Sequence, residues 1–252
     1  MRNDDRRKTI VEQLRGTGTV TVAELVAVTT VSEMTIRRDL DVLAAQGVLR
    51  RVHGGAVLLR RAEAESFDAR LTTAAEAKEA IGATVASMIA DGETVVLDRG
   101  TTALAVARHL RDRPVTVMPL SLHAALALLD GTQAEVLLPG GQPSRQELAL
   151  AGPLALVSVR SLRFDVAVLG APAFSTGTGI TTPDLADGEM KRQALAVAGR
   201  AILAVDGTKW GRTALVRVCP PDALDAVVTD TSAPQAERDA LLAAGVHVEQ
   251  CP

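Results

Sequence analysis

Apolar positions in the first sixty residues recur at helical spacing. Ile10, Val11 and Leu14 share one face of the stretch 2–15, with Gly16 as a stop. Thr21 stands three residues before Glu24, a capping box whose side chains can satisfy two orphan amides, and Val22, Leu25 and Val26 stripe the helix that follows to about Thr29. After the turn Thr29-Thr30-Val31, Ser32 can cap a third helix in which Ile36, Leu40 and Leu43 recur at i, i+4 and i+7. Beyond Gly47, a candidate C-cap, two β-prone runs, 48–52 and 53–59, surround Gly54-Gly55 and predict a hairpin.

Further along, helical and strand-like patterns alternate. Helices are predicted over 73–90, 102–110, 121–129, 187–198 and 235–244, and strands over 94–97, 115–118, 135–138, 166–169, 201–205 and 226–229. This is the order of an α/β domain, a mostly parallel sheet with helices on both faces. Residues 60–70 are polar and alanine-rich, with Phe67 and Arg70 as punctuation, and read as a linker. The expected division is therefore a helical and hairpin domain over 1–60, a linker over 61–73 and an α/β domain over 74–252.

Composition narrows the classes. Of 252 residues, 47% are hydrophobic and 23% charged, which fits a folded globular chain rather than a disordered one. No apolar run reaches the roughly 18 to 20 residues needed to span a bilayer, and the charged start resembles no signal peptide, so a cytoplasmic protein is expected. Cys219 and Cys251 lack metal-ligand spacing and imply a reduced compartment; no metal or cofactor is expected. The net charge of −3 argues against nucleic acid only as an average. Residues 1–61 carry +4 and residues 62–252 carry −7, a basic head on an acidic body.

That head has the pattern of a DNA reader. Two helices joined by a tight turn, the second offering Ser32, Glu33, Met34, Thr35, Arg37 and Arg38 opposite its apolar stripe, match a recognition helix in the major groove. Arginine there can read guanine or grip phosphate. The hairpin then reads as a wing, with Arg50, Arg51 and His53 near the sugar-phosphate backbone; Asp39 and Asp41 temper the DNA reading, since their placement among arginines also fits simple solvated salt bridges.

In the body, the informative residues follow the strands, because parallel sheets bind ligands outside their carboxyl ends. Asp98-Arg99-Gly100-Thr101-Thr102 lies between a strand and a helix and suits a phosphate: glycine permits close approach and the helix start offers free amides. Gly140-Gly141, Gly170 and Asp206-Gly207-Thr208-Lys209 follow other strands, and Lys191 adds a cation on a helix.

The runs Val31-Ser32-Glu33-Met34-Thr35-Ile36-Arg37-Arg38-Asp39-Leu40 and Gly47-Val48-Leu49-Arg50-Arg51-Val52-His53-Gly54-Gly55-Ala56 resemble the DNA-binding signature of the DeoR family of bacterial regulators. Asp98-x-Gly100-Thr101-Thr102, Gly140-Gly141, Gly152, Gly170, Lys191 and Asp206-x-x-Lys209 resemble the landmarks of its effector domain. The resemblance implies a winged helix-turn-helix joined to an effector domain similar in fold to ribose-5-phosphate isomerase and CoA transferases. It also implies a repressor of a carbohydrate-metabolism operon, released by a phosphorylated sugar or related metabolite and working as a homodimer or homotetramer on a palindromic or repeated operator. By that resemblance Gly100, Thr101 and Thr102 hold the phosphate, and Lys191 and Lys209 line the pocket.

Two departures bear on the effector. Pro119-Leu120 stands where the family commonly has Thr-Asn, and Gly170-Ala171-Pro172-Ala173 where many relatives have Gly-Ala-Asp-Gly. The competing reading, a sugar-phosphate isomerase with Asp98 as base and Lys209 beside it, loses a carboxylate at Pro172 and leaves the DNA reader without a role.

Overall fold

The computed structural model describes residues 3–17, 19–45, 49–52, 54–58, 66–145 and 147–252. The chain divides into two compact units, Met1–Ala69 and Arg70–Pro252.

In the first unit, α1 (Asn3–Thr17), β1 (Thr19–Thr21), α2 (Val22–Thr29) and α3 (Glu33–Ala45) lead into β2 (Leu49–Val52) and β3 (Gly55–Leu58). Both halves of the Thr21 and Glu24 capping box form at the start of α2. The turn into α3 is made by Thr30, left-handed at φ 54°. Gly16 does not stop α1, which runs one residue further; Thr17 Oγ1 donates to the carbonyls of Gln13 and Thr19. Ile10, Leu14, Leu25, Ile36, Leu40 and Leu49 are among the side chains that close the core. The predicted hairpin forms, and β1 adds to it in the order β1-β3-β2, all antiparallel. The two glycines have different duties. Gly54 turns at φ 77°, whereas a Cβ on Gly55 would lie 2.1 Å from the Val20 carbonyl oxygen, so only glycine lets β1 approach β3.

The second unit opens with the end of α4 (Phe67–Thr72), a helix in part of the stretch expected as linker. Then come α5 (Ala75–Ser87), β4 (Thr94–Leu97), α6 (Thr101–Leu110), β5 (Thr116–Pro119), α7 (Leu122–Leu129) and β6 (Glu135–Val136). A small hairpin, β7 (Gln142–Pro143) and β8 (Leu150–Ala151), precedes α8 (Pro153–Arg160) and β9 (Phe164–Leu169). After β10 (Ala173–Ser175) and β11 (Gly179–Thr182) come α9 (Leu185–Val197), β12 (Ala198–Ala204), β13 (Val216–Cys219), β14 (Ala226–Asp230), α10 (Gln235–Ala243) and β15 (His247–Cys251).

Seven of these strands form one parallel sheet in the order β15-β14-β12-β9-β4-β5-β6. Alternation along each strand serves two cores. Val95 and Leu97 face α5, α6 and α7, while Val96 faces the side of α8, α9 and α10. The sequence pattern missed α8 and the antiparallel sheet β10-β11-β13, whose strands are too short to display a period. From β4 the chain winds outward through β5 to β6, and from β9 it winds the other way through β12 and β14 to β15. The reversal opens a crevice at the carboxyl ends of β4 and β9. Among the described residues, no helix is long and apolar enough to cross a membrane.

Candidate DNA-reading surface and effector site

On α3, burial separates reader from core. Ile36, Leu40 and Leu43 are buried, Ser32, Glu33, Met34, Arg37 and Arg38 are exposed, and Thr35 is half-buried. Ser32 and Thr35 bond to each other through their hydroxyls at 3.0 Å, and Arg37 pairs with Glu33 at 3.4 Å.

Asp39 does not take the solvated alternative. Its carboxylate is buried and accepts from Arg6 at 2.5 Å and from Arg7 at 3.1 Å, tying α1 to α3. Its acidity therefore serves the frame on which α3 is held. Asp41 is exposed and pairs with Arg51, which also donates to the Arg37 carbonyl at 3.1 Å. Arg51 thus fastens wing strand β2 to α3. His53 and the side chain of Arg50 lie outside the described residues.

In the second unit, the crevice between β4 and β9 is built around Asp98. Its amide continues the β4 and β9 pairing by donating to Val168 O at 2.9 Å, and its Oδ2 accepts from the Gly170 amide at 2.9 Å and from the Lys191 ammonium. Lys191 also donates to Gly170 O at 3.1 Å and lies 3.5 Å from Asp187, one helical turn earlier on α9. Arg99 donates to Asp187 at 2.7 Å and Thr182 does so at 2.6 Å. Burial alone would raise the Asp187 carboxyl, but Lys191 and Arg99 outweigh it and hold its pKa down to about 2. Two cations and two carboxylates therefore balance at the centre of the domain, with Asp98, Asp187 and Lys191 all buried.

Immediately beside this cluster the chain turns at Gly100, φ 105°, and enters α6 with no side-chain cap. The first-turn amides of a helix have no intrahelical partner, so those of Thr101 and Thr102 stay available to an anion. The Thr101 side chain is buried and that of Thr102 half-buried, which leaves the backbone as the main donor surface.

The structure joins Asp98, Gly170 and Lys191 directly. Asp206 sits one strand over, after β12, where Oδ1 accepts from the Thr208 amide at 2.9 Å. Its Oδ2 is buried without a hydrogen-bond partner among the described residues, and Lys209 is half-buried beside it. Gly140 and Gly141 follow the edge strand β6 and brace α8: the Gly140 amide donates to Ser158 Oγ at 3.1 Å, and Gly141 takes φ 120° against Ala151. Pro119 and Leu120 are buried at the end of β5, Leu120 within the core. Sequence reasoning passed over Asp187 and Thr182, and it gave Arg99 no role. The i, i+4 spacing of Asp187 and Lys191 is the signal the sequence offers; Glu189, nearer to Lys191 along the chain, pairs with Arg160 and Arg192 instead.

Comparison with known families bears on both units. A model of the DeoR-like helix-turn-helix domain matches residues 6–62, and one of the DeoR C terminal sensor domain matches residues 73–231. The chain belongs to the DeoR family of transcriptional regulators. This DeoR regulator is 31% identical over 252 residues to the glycerol-3-phosphate regulon repressor of Escherichia coli (strain K12), covering 100% of both chains. It is 32% identical over 249 residues to the transcriptional repressor GlcR of Bacillus subtilis (strain 168), covering 98% of this chain and 96% of the relative. A solved ribose 5-phosphate isomerase A from Methanocaldococcus jannaschii overlaps 55% of each chain at a TM-score of 0.42 and 15% identity, too loosely to bear on chemistry.

Proposed function

We propose that this regulator represses a carbohydrate-metabolism operon and that a phosphorylated sugar or polyol releases it. The observation that carries this reading is the uncapped start of α6 at Gly100, set at the reversal point of a parallel sheet. The effector phosphate rests on the amides of Gly100, Thr101 and Thr102, and its hydroxyl-bearing end reaches toward Asp206 and Lys209. Lys191, saturated by Asp98 and Gly170, positions that cradle instead of touching the ligand. The names of the relatives, a glycerol-3-phosphate regulon repressor among them, agree in ligand chemistry.

DNA reading belongs to Ser32, Glu33, Met34, Thr35, Arg37 and Arg38, with Arg50, Arg51 and His53 at the backbone, and the protein works in the cytoplasm as a homo-oligomer. One recognition helix reads only a few base pairs; two-fold pairing suits half-sites about 10 base pairs, or a multiple, apart. The carboxylate that would serve an isomerase as base, Asp98, is committed to a buried ion pair, which supports binding rather than turnover. Effector binding shifts operator affinity only by its differential affinity for two arrangements of the protein.

The test is a thermal-shift series with phosphorylated sugars and polyols, including glycerol 3-phosphate, on the parent and on Thr102→Glu. A ligand that binds only the folded state raises the melting temperature of the parent. The variant, with a carboxylate in the cradle, should lose that rise and still bind operator DNA selected from a random pool. An equal rise in both proteins places the phosphate elsewhere.

A further inference from the structure

Charged side chains of alternating sign run from the start of the second unit to the floor of its crevice. Arg70, in the last turn of α4, pairs with Glu147, between the strands of the β7 and β8 hairpin. From the other end, Asp98 pairs with Lys191, Lys191 with Asp187, and Asp187 with Arg99. The two runs face each other at Glu147 and Arg99. Burial works against the Arg99 charge, but Asp187, Asp98 and Glu147 outweigh it and raise the pKa of the guanidinium above its ordinary value. Among the described residues the two are nonetheless paired elsewhere, Glu147 with Arg70 and Arg99 with Asp187.

Arg99 is thus a guanidinium with donors in reserve. Among the described residues only its Nε donates, to Asp187, although the side chain is no more than 25% exposed. It immediately precedes Gly100 and the uncapped start of α6. Two Nη groups held next to free helix amides suit the oxygens of one phosphate.

Glu147 stands where the backbone can yield. Leu148 is left-handed at φ 47°, a conformation that strains a residue carrying a side chain. The hairpin is anchored behind it, because Leu148 O accepts from the Leu122 amide and the Leu150 amide donates to Leu120 O, both at 2.9 Å. The Glu147 amide itself reaches Ser144 Oγ at 3.4 Å. At the other end of the pair, buried Lys78 holds the carbonyls of Arg70 and Thr73. The Arg70 and Glu147 side chains can therefore part while the backbone on each side stays fastened.

We propose that Arg99 is a further effector contact and that Glu147 opposes the effector there: an anion seated at Gly100 takes the Nη groups of Arg99, repels the Glu147 carboxylate and so loosens the hold of Glu147 on Arg70 and α4. This rests on the reading that a phosphate binds at Gly100, and it adds the route by which occupancy reaches the helix at the boundary between the two units. Coupling of this kind is reciprocal, so whatever removes the Glu147 charge must both loosen α4 and tighten anion binding.

The test uses the full chain, with inorganic phosphate as probe and sodium chloride of equal ionic strength as control. Calorimetry gives the phosphate affinity, and hydrogen exchange gives the opening of amides 68–73, with amides 166–169 of β9 as an internal reference. Phosphate should raise exchange in α4 of the parent about fivefold and leave β9 unchanged. Glu147→Gln should show that raised rate without phosphate and bind phosphate about fivefold more tightly, whereas Arg99→Met should bind it about tenfold more weakly. Should Arg99→Met not fold, Arg99→Lys, which keeps a charge for Asp187 and loses the fork, takes its place. A Glu147→Gln protein with parental affinity or parental exchange in α4, or an arginine variant that binds phosphate as the parent does, overturns the proposal and leaves the phosphate reading standing. A parent that binds no phosphate overturns both.

Discussion

The ammonium of Lys191 on α9 is held by Asp98 Oδ2 at the end of β4, a buried ion pair that also gathers the amide and carbonyl of Gly170 at the end of β9. It locks the floor of the crevice beside Gly100, joining a helix on one face of the sheet to the two strands at its reversal point. Removing one partner of a buried pair leaves the other charge uncompensated, which typically costs about 3 to 5 kcal/mol. Lys191→Met should therefore lower unfolding free energy in urea by about 3 kcal/mol or more. A loss under ~1 kcal/mol would mean that the pair does not bear on stability.

Asp39 and Arg38 are neighbours with opposite duties. Asp39→Ala removes the buried carboxylate to which Arg6 and Arg7 donate and loosens α1 from α3, so it should lower stability by about 3 kcal/mol and weaken operator binding only through folding. Arg38→Ala, on the exposed face, should leave the melting temperature unchanged and lower specific affinity by about 1 to 3 kcal/mol. If Arg38→Ala weakened random and selected DNA equally, Arg38 would be a phosphate contact.

Asp187 sets an acid limit. Its folded-state pKa, about 2, lies below its ordinary 3.8, so between those values the unfolded chain binds more protons and stability rises with pH. The contribution is full above about pH 4 and is lost as pH falls toward 2. Glu93, held down by its bond to Arg200, and Asp165, held down by Thr94, act in the same direction. Urea midpoints of the parent should fall steeply between pH 5 and 2, and those of Asp187→Asn should fall less. Parallel curves would reject the assignment.

Gly82 lies inside α5, where alanine would ordinarily gain about 1 kcal/mol in helix propensity. Here a Cβ would lie 2.8 Å from the backbone of Ala105 in α6, so contact with a rigid neighbour opposes that gain. Gly82→Ala is expected to destabilise by about 1 to 3 kcal/mol. A raised melting temperature would show that α5 and α6 can separate at little cost.

Much of this protein was legible before any coordinate. The capping box of α2, the stripe of α3, the hairpin and, α8 excepted, the alternation of helices with the parallel strands from β4 to β14 follow from contacts a few residues apart, and a periodic pattern records such contacts directly. The loop Asp98 to Thr102 was legible for the same reason, since strand, glycine and helix start are consecutive. Tertiary structure decided what pattern cannot carry. Whether a charge is solvated or buried depends on who faces it: Asp39 meets Arg6 across 33 positions and Lys191 meets Asp98 across 93. The sheet order that opens the crevice between β4 and β9 likewise arises from pairings between distant segments. Such pairings are fixed by packing the whole domain, because burial makes each charge and each apolar face choose its partner in space rather than along the chain.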